Sequence, residues 1–180
     1  MLKCSFDTKV NLQKPIDIDY IARHGNNTYM KYNSNRVVVR SKKLNATAVI
    51  FKNGVMLCSG GRNREEAKRI ARILARKVQK LGNPKVKFTK FTVVSIKVNF
   101  DLNINLEKLA IKYPSILYEP QLKKYAILTD KDTAYLKIYS AGKIIFNGRW
   151  FPDIDRIVPI LNKKNGKVDI MFPFLINCSV

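Results

Sequence analysis

Histidine, cysteine and carboxylates are scarce in this 180-residue chain, and each scarcity removes a class of function. There is one histidine, His24, with no carboxylate cluster or cysteine partner near it, so histidine-based catalysis or metal ligation has no starting point. The three cysteines, Cys4, Cys58 and Cys178, are odd in number and share no metal-ligand spacing, which points to a reducing compartment rather than a disulfide scaffold. Asp and Glu number only 13, and the one close pair, Asp130 and Asp132, sits in a turn without further ligands. No apolar run approaches the roughly 20 residues of a membrane span, and no signal peptide is visible at the N-terminus. No catalytic constellation, metal, cofactor or membrane contact is implied.

What the chain does have is positive charge. Lys and Arg number 34, for a formal net charge of +21, while 46% of residues are hydrophobic. The chain is thus long and apolar enough for a core. Its charge favours a polyanion, nucleic acid before an anionic membrane surface.

The organising stretch runs from Thr47 to Gly82. Ala48-Val49-Ile50-Phe51 and Val55-Met56-Leu57-Cys58 flank Lys52-Asn53-Gly54, a strong hairpin signal because the tight turn needs positive φ. Glu65 and Glu66 then open a helix, where negative charge suits the N-terminal end of the dipole. Ala67, Ile70, Ala71, Leu74, Ala75, Val78 and Leu81 form its apolar stripe, and Lys68, Arg72 and Arg76 lie among the cations on the other side. Gly82 ends it.

The unit occurs twice. Adding 88 to the hairpin numbers gives Tyr135 to Gly148, with Gly142 where Gly54 was, Tyr139 for Phe51, Ile145 for Leu57 and Asn147 for Ser59. Lys9-Val10-Asn11 has its echo in Lys97-Val98-Asn99, and Ile16–His24 and Leu106–Lys112 both suggest short helices. A second striped segment, with Ile154, Ile157, Val158, Ile160 and Leu161, would be the second long helix. Each half reads strand, short helix, four strands, longer helix. This predicts an α+β fold: two pseudo-symmetric repeats, residues 1–88 and 89–165, forming one antiparallel sheet with helices on one face, then a tail, 166–180. A sheet face left bare and apolar-centred marks a binding surface.

AVIFKNGVMLCSG, EEAKRIARILARKVQKLG, LYEPQL, SAGKIIFNG and VPIL together resemble the TATA-binding protein family, over roughly residues 4–165. The resemblance implies a ten-stranded saddle with four helices on the convex side, whose concave sheet binds the DNA minor groove. Minor-groove kinking by inserted apolar wedges is a known device of that family.

Matched by position, one wedge is kept as Phe51 and its partner falls at Ser34, while in the second half the pair falls at Tyr139 and at Lys123, or at Leu122 because one residue is missing between them. Two central asparagines fall at Ser5 and Ser95, two hairpin threonines at Ser59 and Asn147, and a leucine at Lys137. Val37, Val39, Val49, Leu57, Ile127 and Ile145 are left to line the groove floor, and Arg40 and Lys143 match phosphate contacts. Serine lacks the two-headed reach of an amide, and the added lysines favour sequence-independent attraction. The expectation is duplex binding with relaxed TATA preference and less bending.

Tyr118, Glu119, Pro120, Gln121 and Leu122 match the stirrup loop that docks transcription factor IIB, and the basic helix 65–81 matches a surface used by other transcription factors. A nucleus is the implied compartment, or a viral factory or cytoplasm for a large DNA virus. The rival readings are a protein-interaction scaffold that has lost tight DNA binding, and a single-stranded RNA binder stacking bases on aromatics. The aromatic run expected of the RNA binder is missing. An enzyme is the most distant reading.

Overall fold

A computed structural model of the chain describes residues 3–31, 33–100, 103–130, 134–148, 160–164 and 167–171. One unit comprises residues 1–148 and a second residues 149–180.

The first unit begins with β1 (Lys3–Asn11), α1 (Ile18–His24), β2 (Thr28–Tyr29), β3 (Arg36–Ser41), β4 (Ala46–Phe51), β5 (Val55–Ser59) and α2 (Arg64–Lys80). The same order follows as β6 (Thr89–Asn99), α3 (Leu106–Lys112), β7 (Ile116–Leu117), β8 (Tyr125–Asp130), β9 (Ala134–Tyr139) and β10 (Lys143–Gly148). The strands form a ten-stranded sheet in the order β2-β3-β4-β5-β1-β6-β10-β9-β8-β7, and every recorded pairing in it is antiparallel. The long first strand of each half therefore meets its counterpart at the sheet centre, and the pseudo-two-fold passes between them.

Local chemistry explains the repeated elements. Gly54 has φ +84°, and a Cβ there would meet the Lys14 carbonyl oxygen at 2.3 Å, so the β4–β5 turn requires glycine. Gly142, with φ +75°, serves the β9–β10 turn. The short helices are capped alike: Asp17 accepts from the Tyr20 N–H at 2.9 Å, and Asn105, 88 residues on, accepts from the Lys108 N–H at 3.0 Å. At the start of α2, Asn63 accepts from the Glu66 N–H while Glu66 reaches back to the Arg62 N–H, both at 2.8 Å. That is a reciprocal cap in the manner of a capping box.

The stripe of α2 lies on the sheet. Ala67, Ile70, Ala71, Leu74, Ala75 and Val78 are buried, and all but Ala67 join one core with Val10, Ile21, Val37, Val39, Ile50 and Met56. Burying each large member, Ile70, Leu74 or Val78, contributes about 1.5–3 kcal/mol. In the second half Leu106, Leu109, Ile116, Ala126, Leu128, Ile138, Ile144 and Phe146 are buried. Three helices are found among the described residues. The segment expected to form the second long helix, with Ile154, Ile157 and Val158, lies mostly outside them.

In the second unit β11 (Ile160–Lys164) pairs antiparallel with β12 (Lys167–Met171), Ile160 opposite Met171. Ile160 and Leu161, expected to close a helix, are therefore strand residues: apolar spacing over so short a segment does not separate the two periods. Asp132, Phe172, Phe174 and Cys178 lie outside the described residues.

Candidate nucleic-acid interface

Strand alternation sends every second side chain into the core and leaves the others on the face away from the described helices α1, α2 and α3, the helix-free face. On β4 these are Thr47, Val49 and Phe51, between buried Ala46, Ala48 and Ile50. On β5 they are Val55, Leu57 and Ser59, between buried Met56 and Cys58. On β8 to β10 the same phase presents Tyr125, Ile127, Tyr135, Lys137, Tyr139, Lys143, Ile145 and Asn147.

Two expected face residues do not belong there. Val37 is 0% exposed and Val39 2%, and both pack in the core with α2. Val38, with Arg36 and Arg40, is what β3 presents to the free face. The correction follows from geometry, because Val39 and Arg40 are adjacent and cannot point to the same side. Arg40, Val49, Phe51, Leu57, Ser59, Ile127, Lys137, Tyr139, Lys143, Ile145 and Asn147 all share the free face by this alternation.

Ser5 and Ser95 are not opposite one another. Ser5 pairs with Lys97, and Ser95 pairs with Asp7; beyond that pair a bulge leaves Val94 between the partners of Asp7 and Thr8. Asp7 and Ser95 differ by 88, so the true symmetry mates at the centre are a carboxylate and a hydroxyl. Ser34 and Lys123, by contrast, sit in the loops just before β3 and β8. Lys123 is exposed, its N–H bonded to the Glu119 carbonyl at 2.9 Å.

Register places a polar row across the middle of the sheet. Arg40 is opposite Thr47, Thr47 opposite Ser59, Ser59 opposite Asp7, Asp7 opposite Ser95, Ser95 opposite Asn147, and Asn147 opposite Tyr135. An apolar row lies beside it in the first half, Val38 opposite Val49 and Val49 opposite Leu57. Its counterpart in the second half, Ile127–Lys137–Ile145, is interrupted by the lysine.

At the centre, Asp7 Oδ2 is 2.7 Å from Lys97 Nζ and accepts from Ser95 Oγ at 2.8 Å. Burial pushes the Asp7 carboxyl up, but Lys97 and the Ser59 and Ser95 hydroxyls outweigh it and hold it below the ordinary carboxylate value. Asp7 Oδ1 is buried and accepts no hydrogen bond of normal geometry. Sequence reasoning missed Asp7 and Lys97, although Lys97 stood in the repeated Lys-Val-Asn motif and Asp7 lies 88 residues before Ser95.

The halves differ in chemistry. Lys137 Nζ lies 4.9 Å from the centroid of Tyr125 and 5.3 Å from that of Tyr135, and Lys143 Nζ lies 5.5 Å from that of Tyr139. Tyr125 and Tyr139 are themselves in contact, centroids 5.3 Å apart. The first half carries Val49, Thr47, Val55 and Phe51 at the matching places.

Away from the sheet face, Tyr118 to Leu122 form the loop before β8, with Leu122 75% exposed and Tyr118 half-buried. On α2, Lys68, Arg72 and Arg76 line a shallow depression of about 720 Å³ together with Glu65, Glu66 and the exposed Ile73. The Arg72 guanidinium also lies 5.5 Å from the centroid of Phe88. Among the described residues no cluster of histidine, cysteine and carboxylates could hold a metal, and no helix is long and apolar enough to cross a membrane.

Residues 6–81 and 90–150 match the family model of transcription factor TFIID, or TATA-binding protein. The chain belongs to the TATA-binding protein family. Its two matched segments follow the two halves of the sheet. The TATA-box-binding protein of Caenorhabditis elegans is 37% identical, over 84% of this chain and 47% of its own length. TATA-box-binding protein 1 of Arabidopsis thaliana is 34% identical, over 86% and 82%. The chain spans about half the length of most of the curated relatives it matches. The solved structure of Methanococcus jannaschii TBP shares the fold, with a TM-score of 0.58 at 19% identity, covering 82% of this chain and 87% of that one. The family is one of non-enzymatic, DNA-binding transcription factors, and this chain shares its saddle fold.

Proposed function

We propose that the protein binds promoter duplex DNA in the minor groove through the helix-free face, and there acts in transcription initiation with relaxed TATA preference and reduced bending. The observation that carries this is the free face itself. It is a broad sheet surface, apolar in its first half, cationic and aromatic in its second, in a chain of net charge +21. Lys123, Lys137 and Lys143 add phosphate attraction, which is sequence-independent and salt-sensitive. Of the matched wedge positions only Phe51 keeps phenylalanine, and loss of wedges lowers the capacity to unstack base steps. The two repeats, 1–88 and 89–165, would each supply one half of the surface.

The exposed Leu122, with Tyr118, Glu119, Pro120 and Gln121, is the proposed docking point for a transcription factor IIB-like protein. The basic side of helix 65–81 is proposed to receive other transcription factors, and the nucleus is the proposed compartment. The test is duplex binding over a salt series with TATA, scrambled AT and GC-rich probes, alongside a bend assay. Similar affinities, a steep salt slope and weak bending are expected; TATA-specific binding with full kinking would overturn the reading. A second reading, a scaffold without tight DNA binding, is favoured by the carboxylate of Asp7 at the centre of the face. Absence of duplex binding at physiological salt with retained partner binding would establish it.

A further inference from the structure

The oddest group on the free face is Asp7. It sits at the pseudo-two-fold between the two halves, opposite both Ser59 and Ser95, in the polar row that crosses the sheet. A groove pressed on this face would close over it. Lys97 and Ser95 satisfy Oδ2, whereas Oδ1 makes no hydrogen bond of normal geometry, although the Ser59 hydroxyl also favours the charged carboxylate. The terminal torsion of aspartate is broad, so rotation can turn either oxygen toward a ligand on the face.

The minor groove supplies few donors. A·T and T·A pairs present only the acceptors adenine N3 and thymine O2, and a carboxylate against them is a repulsive contact. The G·C pair alone adds a donor, the guanine N2 amino group. A buried acceptor rejects a ligand that leaves it unpaired more strongly than it rewards one that pairs it. We propose that Asp7 reads the exocyclic amino group of a guanine at the centre of the bound site, so that this protein selects a G·C pair there. Lys97 is the positioning residue: its ammonium neutralises the carboxylate against the phosphates and holds it in the face. The proposal rests on the reading of the free face as a duplex-DNA surface.

The experiment steps a single G·C pair through an AT-rich duplex, using the full chain, and measures affinity at each position. At the preferred position guanine is then replaced by inosine, which lacks the N2 amine and keeps the major-groove edge. The wild type is expected to bind the guanine duplex about tenfold tighter than its inosine counterpart, the order of one charge-assisted hydrogen bond. Asp7→Ala is expected to bind both alike, and more tightly overall because a negative charge has gone. Asp7→Asn, nearly isosteric, guards against a folding defect and should gain affinity for A·T at the centre through its amide N–H. Equal wild-type affinity for guanine and inosine, or discrimination that survives in Asp7→Ala, overturns the inference while leaving duplex binding intact. No saturable binding to any duplex overturns both it and the reading it rests on.

Discussion

Replacing Lys137 and Lys143 together by valine, the residues at the matching places Val49 and Val55, tests whether the second half binds by charge. The two lysines are ordered by tyrosines, Lys137 over Tyr125 and Tyr135, Lys143 over Tyr139. Their ammonium groups are therefore held over the free face. Each phosphate neutralised contributes about 0.9 to the slope of log affinity against log salt. Losing two contacts should flatten that slope by about 1.8. Taking the electrostatic contribution as vanishing near 1 M, the span to 0.15 M is about 0.8 log units, so affinity should fall about 30-fold at physiological salt. The fold should survive. The lost cation–π contacts of the half-exposed Lys137 are worth about 0.5–1 kcal/mol each, partly offset because valine suits a strand.

Fluorescence anisotropy between 50 and 400 mM KCl, on TATA, scrambled AT and GC-rich probes, gives the slopes directly. The expected pattern is a parallel loss on all three probes. A loss confined to one sequence would refute the reasoning, because it would mean the lysines read base edges. An unchanged slope would refute it more directly, by showing that neither ammonium meets a phosphate.

Other outcomes follow from the same structure. The folded-state pKa of Asp7 is lowered, so its charge contributes stability that is fully present above the ordinary value, 3.8, and is lost as pH falls through the lower folded-state value; Asp7→Asn should remove that part of the acid sensitivity, seen by comparing urea midpoints at pH 6 and pH 3. Ile50→Ala, at a fully buried site between the sheet and α2, should destabilise by about 2–5 kcal/mol in urea unfolding. Asn63→Ala removes the α2 cap and should lower stability by about 1 kcal/mol. Burial pushes the Cys58 thiol up to about 12, so peptide mapping after iodoacetamide at pH 8 should find Cys58 unmodified in the native protein and modified in urea.

The parts of the fold fixed by local chemistry were legible. The Asn53-Gly54 turn, the stripe of α2 and the 88-residue offset all reappear as β4–β5, a buried helix face and a second half in matching order. What failed was phase. Val37, Val38 and Val39 are chemically identical, so alternation cannot say which of them faces the core; the register against Ala48, Val49 and Ile50 decides. The pairing at the centre was not legible either: Ser95 stands opposite Asp7, and Ser5 opposite Lys97, a register that only the two strands together set. The four strands expected after each short helix are all present, though β2 and β7 are only two residues long and are held by their partners β3 and β8. The centre of the candidate site was hidden because it is made by strands 88 residues apart.

A two-fold pseudo-symmetric surface can meet duplex DNA in two orientations, and only a chemical difference between its halves can favour one. Uniform phosphate attraction does not provide that difference, since both ends of a duplex carry the same charge. Sequence-dependent shape does. An A-tract narrows the minor groove and deepens its negative potential, whereas a TA step is flexible and easily unstacked. The half with Lys137 and Lys143 suits the first, and the half with Phe51 and the aliphatic row of Val38, Val49 and Leu57 suits the second. An orientation bias of tenfold needs about 1.4 kcal/mol, comparable with one well-placed cation or one retained wedge. If the free face binds duplex DNA as proposed, the divergence between the repeats would give the bound protein a direction, while the near-symmetric centre at Asp7 and Ser95 would anchor it to one base step.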